Sequence, residues 1–497
     1  MAEQTGRSRP SRSGQPRSGQ PRSGQPRSGQ PRSGQPRSGQ PRADASRHAA
    51  YDVLRAVADR DAYANLLLPA LLRERGLTGR DAAFATELTY GTLRGRGTYD
   101  AILAACSDRD DLDPPVRDVL RLGVHQLLAT RVGSHAAVAT SVDLAKDVCG
   151  PRPSGFVNAV LRRVSTRDLD AWIDIVAPSR SQDPTGYLAV RHSYPRWIVE
   201  AFRDALGDAG AAEIDNALAA GNVRPDVVLA LTPADPAEAA RVLPAGEPTR
   251  WSPYGFRLAA GDPAPLVASG QAAVQDEASQ LAALALTRVG LSGPDELWLD
   301  LCAGPGGKAR LLSGLAADRG ARLVASDIRP HRARRVLEAL RRTKTHTGAV
   351  VAADGRQVPW PSGTFDRVLA DVPCSGLGSL RRRPEARWRK TPEDVKELAV
   401  LQRELLEAAI DSVRPGGVVA YVTCTPHLAE TREVVTAVAD RRDDVTVLDA
   451  PAVLSEVPDL RCPEHGGSSD SRYRRFAQFW PHRHGTDAIF LALLRRG

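Results

Sequence analysis

The chain has 497 residues, 42% hydrophobic and 25% charged, which excludes both a single ordinary domain and a wholly disordered polypeptide. Its formal net charge of +8 suggests an anionic partner, but the excess is not spread along the chain. Residues 1–47 carry ten arginines against Glu3 and Asp44, while residues 48–497 carry 57 basic and 57 acidic side chains.

From Arg12 to Pro41 the pentamer Arg-Ser-Gly-Gln-Pro repeats six times, with nothing apolar to bury. Such a segment cannot offset its ordering entropy, so 1–47 is predicted to be a disordered tail. Its bland reading is a solvated repeat; its sharper reading is an arginine arm that meets RNA nonspecifically. Over 48–180 the apolar spacing is helical, as in Val116, Val119, Leu120, Val124, Leu127 and Leu128, and predicts an all-α domain. A small mixed α/β unit follows over 186–270, with a helix around Trp197–Leu206 and a strand at Val227–Leu231.

From 271 to 497 the rhythm becomes β-α-β. Short apolar runs stand at Leu297–Cys302, Leu323–Ile328, Ala349–Ala353, Val368–Val372 and Val418–Thr423. Nearly continuous runs of that length predict a parallel sheet covered on both faces. Ligands in such folds bind at the carboxyl ends of the strands, so the residues just past each run are the candidates.

The first run is followed by Asp300-Leu301-Cys302-Ala303-Gly304-Pro305-Gly306-Gly307-Lys308. Glycines let the backbone turn sharply and approach a ligand. The loop is neither a P-loop, since Ala309 stands where a magnesium-binding Ser/Thr would be, nor G-x-G-x-x-G. The second run ends at Asp327 and the third at Asp354. A glycine loop with two strand-end acids fits an adenosine-type cofactor without phosphates, S-adenosylmethionine being the natural candidate. A tight turn with two helix caps would need the same residue types.

The fourth run ends Asp371-Val372-Pro373-Cys374 and the fifth Val422-Thr423-Cys424. A lone cysteine is usually a small buried hydrophobe; two at neighbouring strand ends ask for a chemical reason. C5 of cytosine is a poor nucleophile, and thiolate addition at C6 makes it enamine-like. A thiol beside a methyl donor therefore points to cytosine.

These residues resemble a known family. DLCAGPGGK, DVPCSG and YVTCTP are similar to motifs of the RsmB/Sun RNA cytosine-5 methyltransferases. GFVNAVLRR (155–163) resembles the NusB-like domain carried by the RsmB branch, and HSYPRW (192–197), VQDEASQL (274–281) and FWPHRHGTDAIF (479–490) also look like that branch. The resemblance implies an all-α NusB-like RNA-binding domain ahead of a Rossmann-like S-adenosylmethionine-dependent methyltransferase domain. Cys302, Ala303, Gly304, Pro305, Gly306, Gly307 and Lys308 would wrap the cofactor. Asp327 would take its ribose hydroxyls, Asp354 its adenine side, and Asp371 would stand between cofactor and base. Cys424 would add to C6 and Cys374 would assist release; Lys308 would also approach the base. Gly304 and Thr425 depart from the family's usual Ala and Ser. Small-subunit (16S) ribosomal RNA is the substrate implied. The alternatives are a tRNA cytosine-5 methyltransferase or a noncatalytic NusB-like assembly factor.

Six cysteines without C-x-x-C suit a reducing cytoplasm. No apolar run approaches the ~20 residues of a membrane helix. A monomer without membrane or DNA partners and without a metal is expected. Cys462-x-x-His465 with His482 and His484 has no structural-zinc spacing. Of three basic clusters, 329–342 reads as an exposed helix and 381–390, which includes Trp388, as an RNA contact; the aromatics of 472–483 leave that cluster open between RNA and core.

Overall fold

The first described helix begins where the arginine repeat ends. The computed structural model describes residues 44–497 apart from 110, 233–234, 244, 260, 344–347 and 464–470, so the predicted tail lies outside the described residues as far as residue 43. Residues 44–47, assigned to that tail by composition, are folded instead. Asp44 caps α1 (Ala45–Asp59) by accepting from Ser46 N at 2.6 Å, and buried Arg47 donates from Nε to Gln126 Oε1 at 2.8 Å. A short acid at the N-cap satisfies an amide that would otherwise lack a partner, and this sets the boundary.

Six further helices complete the all-α part: α2 (Ala64–Glu74), α3 (Gly79–Cys106), α4 (Pro114–Ala129), α5 (Ser134–Cys149), α6 (Ser154–Val164) and α7 (Leu169–Val176). The predicted helical stripe is its core. Val116, Val119, Leu120 and Val124 are buried against Ile102, Val157 and Leu161, with Leu127 and Leu128 partly buried at the edge. Pro114 and Pro115 start α4, where a missing amide proton costs nothing.

Helices α8 (Pro184–His192), α9 (Arg196–Leu206) and α10 (Gly210–Ala220) lead to a small antiparallel sheet. Its strands are β1 (Val227–Leu231), β2 (Gly246–Pro248), β3 (Gly255–Leu258) and β4 (Ala272–Val274), ordered β2-β3-β1-β4, with α11 (Pro236–Val242) and α12 (Ala264–Ala268) between them.

The larger sheet holds the candidate residues. After α13 (Glu277–Arg288) come β5 (Leu297–Asp300), α14 (Gly307–Ala317), β6 (Arg322–Ser326), α15 (Pro330–Arg341), β7 (Ala349–Val351), β8 (Phe365–Asp371), α16 (Pro392–Ser412), β9 (Val413–Thr423) and α17 (Arg432–Ala439). Then follow β10 (Val445–Leu448), α18 (Ala450–Val453), β11 (Ala477–Gln478), α19 (Pro481–His484) and β12 (Phe490–Arg496). The order is β10-β12-β9-β8-β5-β6-β7, with β11 paired to β12. Strands β9, β8, β5, β6 and β7 run parallel, while β12 pairs antiparallel with both β9 and β10, so the predicted parallel sheet is in fact mixed.

Both faces are covered, as continuous apolar runs require. Along β9, Val418, Ala420 and Val422 join the core under α13 and α14, while Val419 and Tyr421 join the core under α16 and α17. Strand β12 alternates the same way: Leu491 and Leu493 on one face, Phe490, Ala492 and Leu494 on the other. Among the described residues no helix is long and apolar enough to cross a membrane.

Candidate active site

The carboxyl ends of the five parallel strands bring most of the predicted residues to one edge. Leu301 N donates to Leu369 O at 2.9 Å and Ala303 N to Ser326 O at 2.8 Å, so the glycine loop is anchored on the β8 and β6 backbones beside β5. Gly304 N donates to Asp327 Oδ2 at 3.1 Å; a Cβ at Gly304 would lie 2.2 Å from that oxygen. Gly306 has φ +112°, and a Cβ there would lie 3.2 Å from Val336 Cα on α15. The positive φ at Gly306 favours glycine, whereas a Cβ at Gly304 would require the Asp327 side chain to shift. Arg332 of α15 reaches back to Gly304 O.

Asp327 is buried, and its Oδ1 accepts from Arg329 N at 2.9 Å. Asp354 lies past the end of β7. Its carboxylate is gripped by Arg356, whose Nη2 donates to Oδ2 at 2.7 Å and whose backbone N donates to Oδ1 at 3.0 Å. That hydrogen bonding holds Asp354 below the usual carboxylate range.

A residue that spacing did not single out is more perturbed. Asp300 is 1% exposed, and neither carboxylate oxygen has a hydrogen-bond partner. Burial first and the nearby Asp371 second push its pKa up to about 8. Gln275, just before α13, likewise has both amide atoms buried and unpartnered. Burial also pushes the Cys302 thiol up, reinforced by Asp300 and Asp371, so Cys302 stays protonated. An unpartnered carboxylate, an unpartnered amide and a glycine cradle against Asp327 fit an adenosyl amino acid, which presents hydroxyls, amide-like ring edges and an ammonium. The loop Cys302–Lys308, with Asp327, would hold it.

Beside that loop, Lys308 Nζ donates to Asp371 Oδ2 at 2.8 Å. Burial works against the ammonium, but Asp371 and then Cys424 more than offset it, and the Lys308 pKa lies above the ordinary value. Cys374 and Cys424 are half-buried, with sulfurs 3.3 Å apart. The hydrogen bond between them, drawn from Cys374 toward Cys424, lowers the Cys424 pKa and raises that of Cys374. Burial opposes the Cys424 shift, and Lys308 and Arg383 assist it. Gly378 N donates to Cys424 O at 2.8 Å, joining the two cysteine loops through their backbones.

The basic cluster 381–390 is mostly structural, contrary to the RNA contact expected for it. Arg381 and Arg382 share the buried carboxylates of Asp276 and Asp487. Arg387 is fully buried, stacks 3.9 Å from the Tyr194 ring centroid and donates to Ser193 O at 2.9 Å. Arg389 donates to Ala62 O at 2.7 Å, fastening this segment to the helical part. A guanidinium carries up to five donors, so carbonyl-rich junctions recruit it as readily as phosphates do; Arg383 is the cluster's exposed arginine. In 472–483, Phe476, Phe479 and Trp480 are core. In 329–342, Arg334, Arg335, Arg341 and Arg342 are exposed as expected. Of the rejected zinc set, His465 lies outside the described residues, while His482 bonds Glu213 at 2.8 Å and His484 bonds Pro458 O at 2.9 Å.

Two family descriptions match the chain: "NusB family" over residues 44–166 and "16S rRNA methyltransferase RsmB/F" over residues 291–495. A Mycobacterium tuberculosis protein named as a methyltransferase is 50% identical over 461 residues, 91% of this chain and 97% of that protein. The ribosomal RNA small subunit methyltransferase B of Pseudomonas putida is 32% identical, over 84% of this chain and 93% of that protein. Two solved structures share the fold. The crystal structure of PH0851 superposes with a TM-score of 0.72 at 21% identity, covering 91% of this chain and 98% of that one. A methyltransferase homolog protein from Pyrococcus horikoshii gives 0.53 at 21% identity, covering 64% of this chain and 100% of that one. The glycine loop, the strand-end acids and these likenesses together place the chain in the RsmB/F family of S-adenosylmethionine-dependent methyltransferases, with a NusB-family domain ahead of its catalytic fold.

Proposed function

We propose that this chain forms 5-methylcytosine in RNA, with small-subunit ribosomal RNA as its substrate. The reading rests on one observation above all: two half-buried cysteine sulfurs lie 3.3 Å apart at the ends of adjacent strands, beside the Lys308–Asp371 pair. A methyltransferase acting on an already nucleophilic atom has no use for that pair. The names of the relatives support ribosomal RNA as the substrate class, and exposed Arg162 and Arg163 at the end of α6 are suited to backbone phosphates.

S-adenosylmethionine, when bound, supplies an electrophilic methyl that an activated C5 accepts. Cys424 provides the activation. A free thiol is only a few per cent thiolate at pH ~7, and the hydrogen bond from Cys374, helped by Lys308, raises that fraction at Cys424. Its sulfur forms a bond to C6, and the electron pair of the C5=C6 bond moves toward C5 and the ring carbonyl. The Lys308 ammonium, held by Asp371, is placed to offset that charge. Cys374 then changes role. Its raised pKa owes most to the hydrogen bond with Cys424, and Cys424 loses its charge once bonded to carbon. Cys374 is thereby freed to lose its proton to solvent, and the resulting thiolate takes the proton on C5. Removal of that proton restores the C5=C6 bond and expels the Cys424 thiolate. The cytosine must be unpaired or extruded to reach the sulfur.

Cys424→Ala is expected to abolish methylation of a 16S fragment. Cys374→Ala is expected to leave a covalent enzyme–RNA adduct that survives denaturing electrophoresis. The reverse dependence, with an adduct from Cys424→Ala, would overturn the assignment.

A further inference from the structure

Under the two cysteines lies a carboxylate that the scheme above does not use. Glu430 is 0% exposed. Its Oε1 accepts from Ser375 N at 2.7 Å and from Gln402 Nε2 at 3.1 Å, and its Oε2 accepts from Ser375 Oγ. Its backbone oxygen accepts from Tyr421 Oη at 2.8 Å. Ser375 Oγ lies 3.1 Å from Thr425 Oγ1, and Gln402 Nε2 also donates to Pro373 O at 2.8 Å. The Glu430 carboxylate thus holds the residue after Cys374 and α16 directly and reaches the residue after Cys424 through Ser375 Oγ, while its backbone oxygen is held by Tyr421 of β9.

We propose that Glu430 is a positioning residue of this reaction: it ties the Cys374 loop to the Cys424 loop and decides which of the two sulfurs carries the proton. The inference rests on the cysteine-addition reading above. Burying a carboxylate is costly unless hydrogen bonds compensate, and the donors to its side chain are all neutral, so a charge on this carboxylate acts on Cys374 with no counter-ion among those donors. A purely structural tie between these loops could use an amide or a hydroxyl at no such cost.

The charges around the two sulfurs are arranged unequally. Cys374 faces the Cys424 sulfur and Glu430, both of which favour its protonated form. Cys424 faces Lys308 and Arg383, which favour its thiolate, and Asp371, which opposes it. Tyr421 and His427 also feel Glu430, and Arg403 reaches Tyr421. A charge on Glu430 would add to the hydrogen bond with Cys424 and to burial in keeping the proton of the pair on Cys374, leaving Cys424 as the nucleophile.

Glu430→Gln separates charge from shape. The glutamine oxygen can accept from Ser375 N and its nitrogen can donate to Ser375 Oγ. The experiment is alkylation by iodoacetamide across pH 6–10, read at each cysteine by peptide mass spectrometry, on the full chain without RNA or cofactor. In the parent protein Cys424 should react with a lower pH midpoint than Cys374. In Glu430→Gln the Cys374 midpoint should fall by about one unit, as loss of a nearby like charge requires, and the gap between the two should narrow. Methylation turnover should fall with it, at unchanged KM for RNA. Should Glu430→Gln not fold, Glu430→Asp serves: the charge retreats by one methylene, and the Cys374 midpoint should move the same way by less. An unchanged Cys374 midpoint in the folded variant would overturn the proposal, even if Cys424→Ala still abolishes methylation. Conversely, an active Cys424→Ala protein would overturn the cysteine-addition reading and leave the alkylation result standing as a fact about the pair.

Discussion

Asp300, a single buried side chain, is expected to make the stability of the fold pH-dependent. An unfolded aspartate protonates near ~3.9, whereas Asp300 in the fold protonates at about 8. Between those values the native state holds a proton that the unfolded chain has released, so stability falls as pH rises. This contribution is fully present below the unfolded value and gone above the folded one. Asp300→Asn, which mimics the protonated form, should therefore flatten the decline in urea midpoint from pH 5 to pH 8 and be the more stable protein at pH 8. A variant with the parent's slope would show that another group carries the dependence. Lys308→Gln should lower methylation roughly 10²-fold, the scale of a lost charge-stabilising or proton-transfer group, in a protein that still folds. Residue types at strand ends were legible because a continuous apolar run must end in something else: two cysteines, Asp327 and a glycine loop whose Gly306 has a positive φ. Glu430 and Asp300 were not. An acid in CTPHLAE carries no mark of burial, and the sign of its effect depends on which neighbours the fold supplies.

Elements were legible in proportion to how local their causes are. The helices over 45–176 follow from the 3.6-residue stripe and the five parallel strands from short apolar runs. Strands β10 and β12 escaped, because Val445–Leu448 is brief and Phe490–Arg496 pairs antiparallel with β9 across a long stretch of intervening chain. The pairing is nonetheless central, since β12 fills both cores. Leu493 is 0% exposed; Leu493→Ala should cost about 2–5 kcal/mol by lost transfer energy and residual cavity, read as a lower urea midpoint at unchanged slope. A cost well under ~1 kcal/mol would mean that β12 is dispensable to the sheet. The cluster 381–390 teaches the opposite lesson. Its composition is that of an RNA-binding segment, but Arg381 and Arg382 are used on carboxylates within the catalytic part, and Arg387 and Arg389 join that part to the helices before it. Arginine counts cannot distinguish a phosphate from a cluster of carbonyls.

At the scale of the whole molecule, the net charge of +8 belongs to residues 1–47, and the body of the protein is neutral. RNA recognition by the body therefore has to come from local patches rather than from an overall field. Deleting 1–43, which spares the Asp44 cap, should leave the slope of log affinity for 16S fragments against log salt unchanged; a slope reduced by several units would make the tail an arginine arm. Cys424 addition at C6 should underlie methylation of C5 of one cytosine in small-subunit ribosomal RNA. Bisulfite sequencing of total RNA tests it most directly, in a strain lacking this gene and complemented with either the parent chain or Cys424→Ala. One 16S 5-methylcytosine should be lost in the deletion strain, restored by the parent and not by the variant. An unchanged 16S profile in the deletion strain, or restoration by Cys424→Ala, would contradict it.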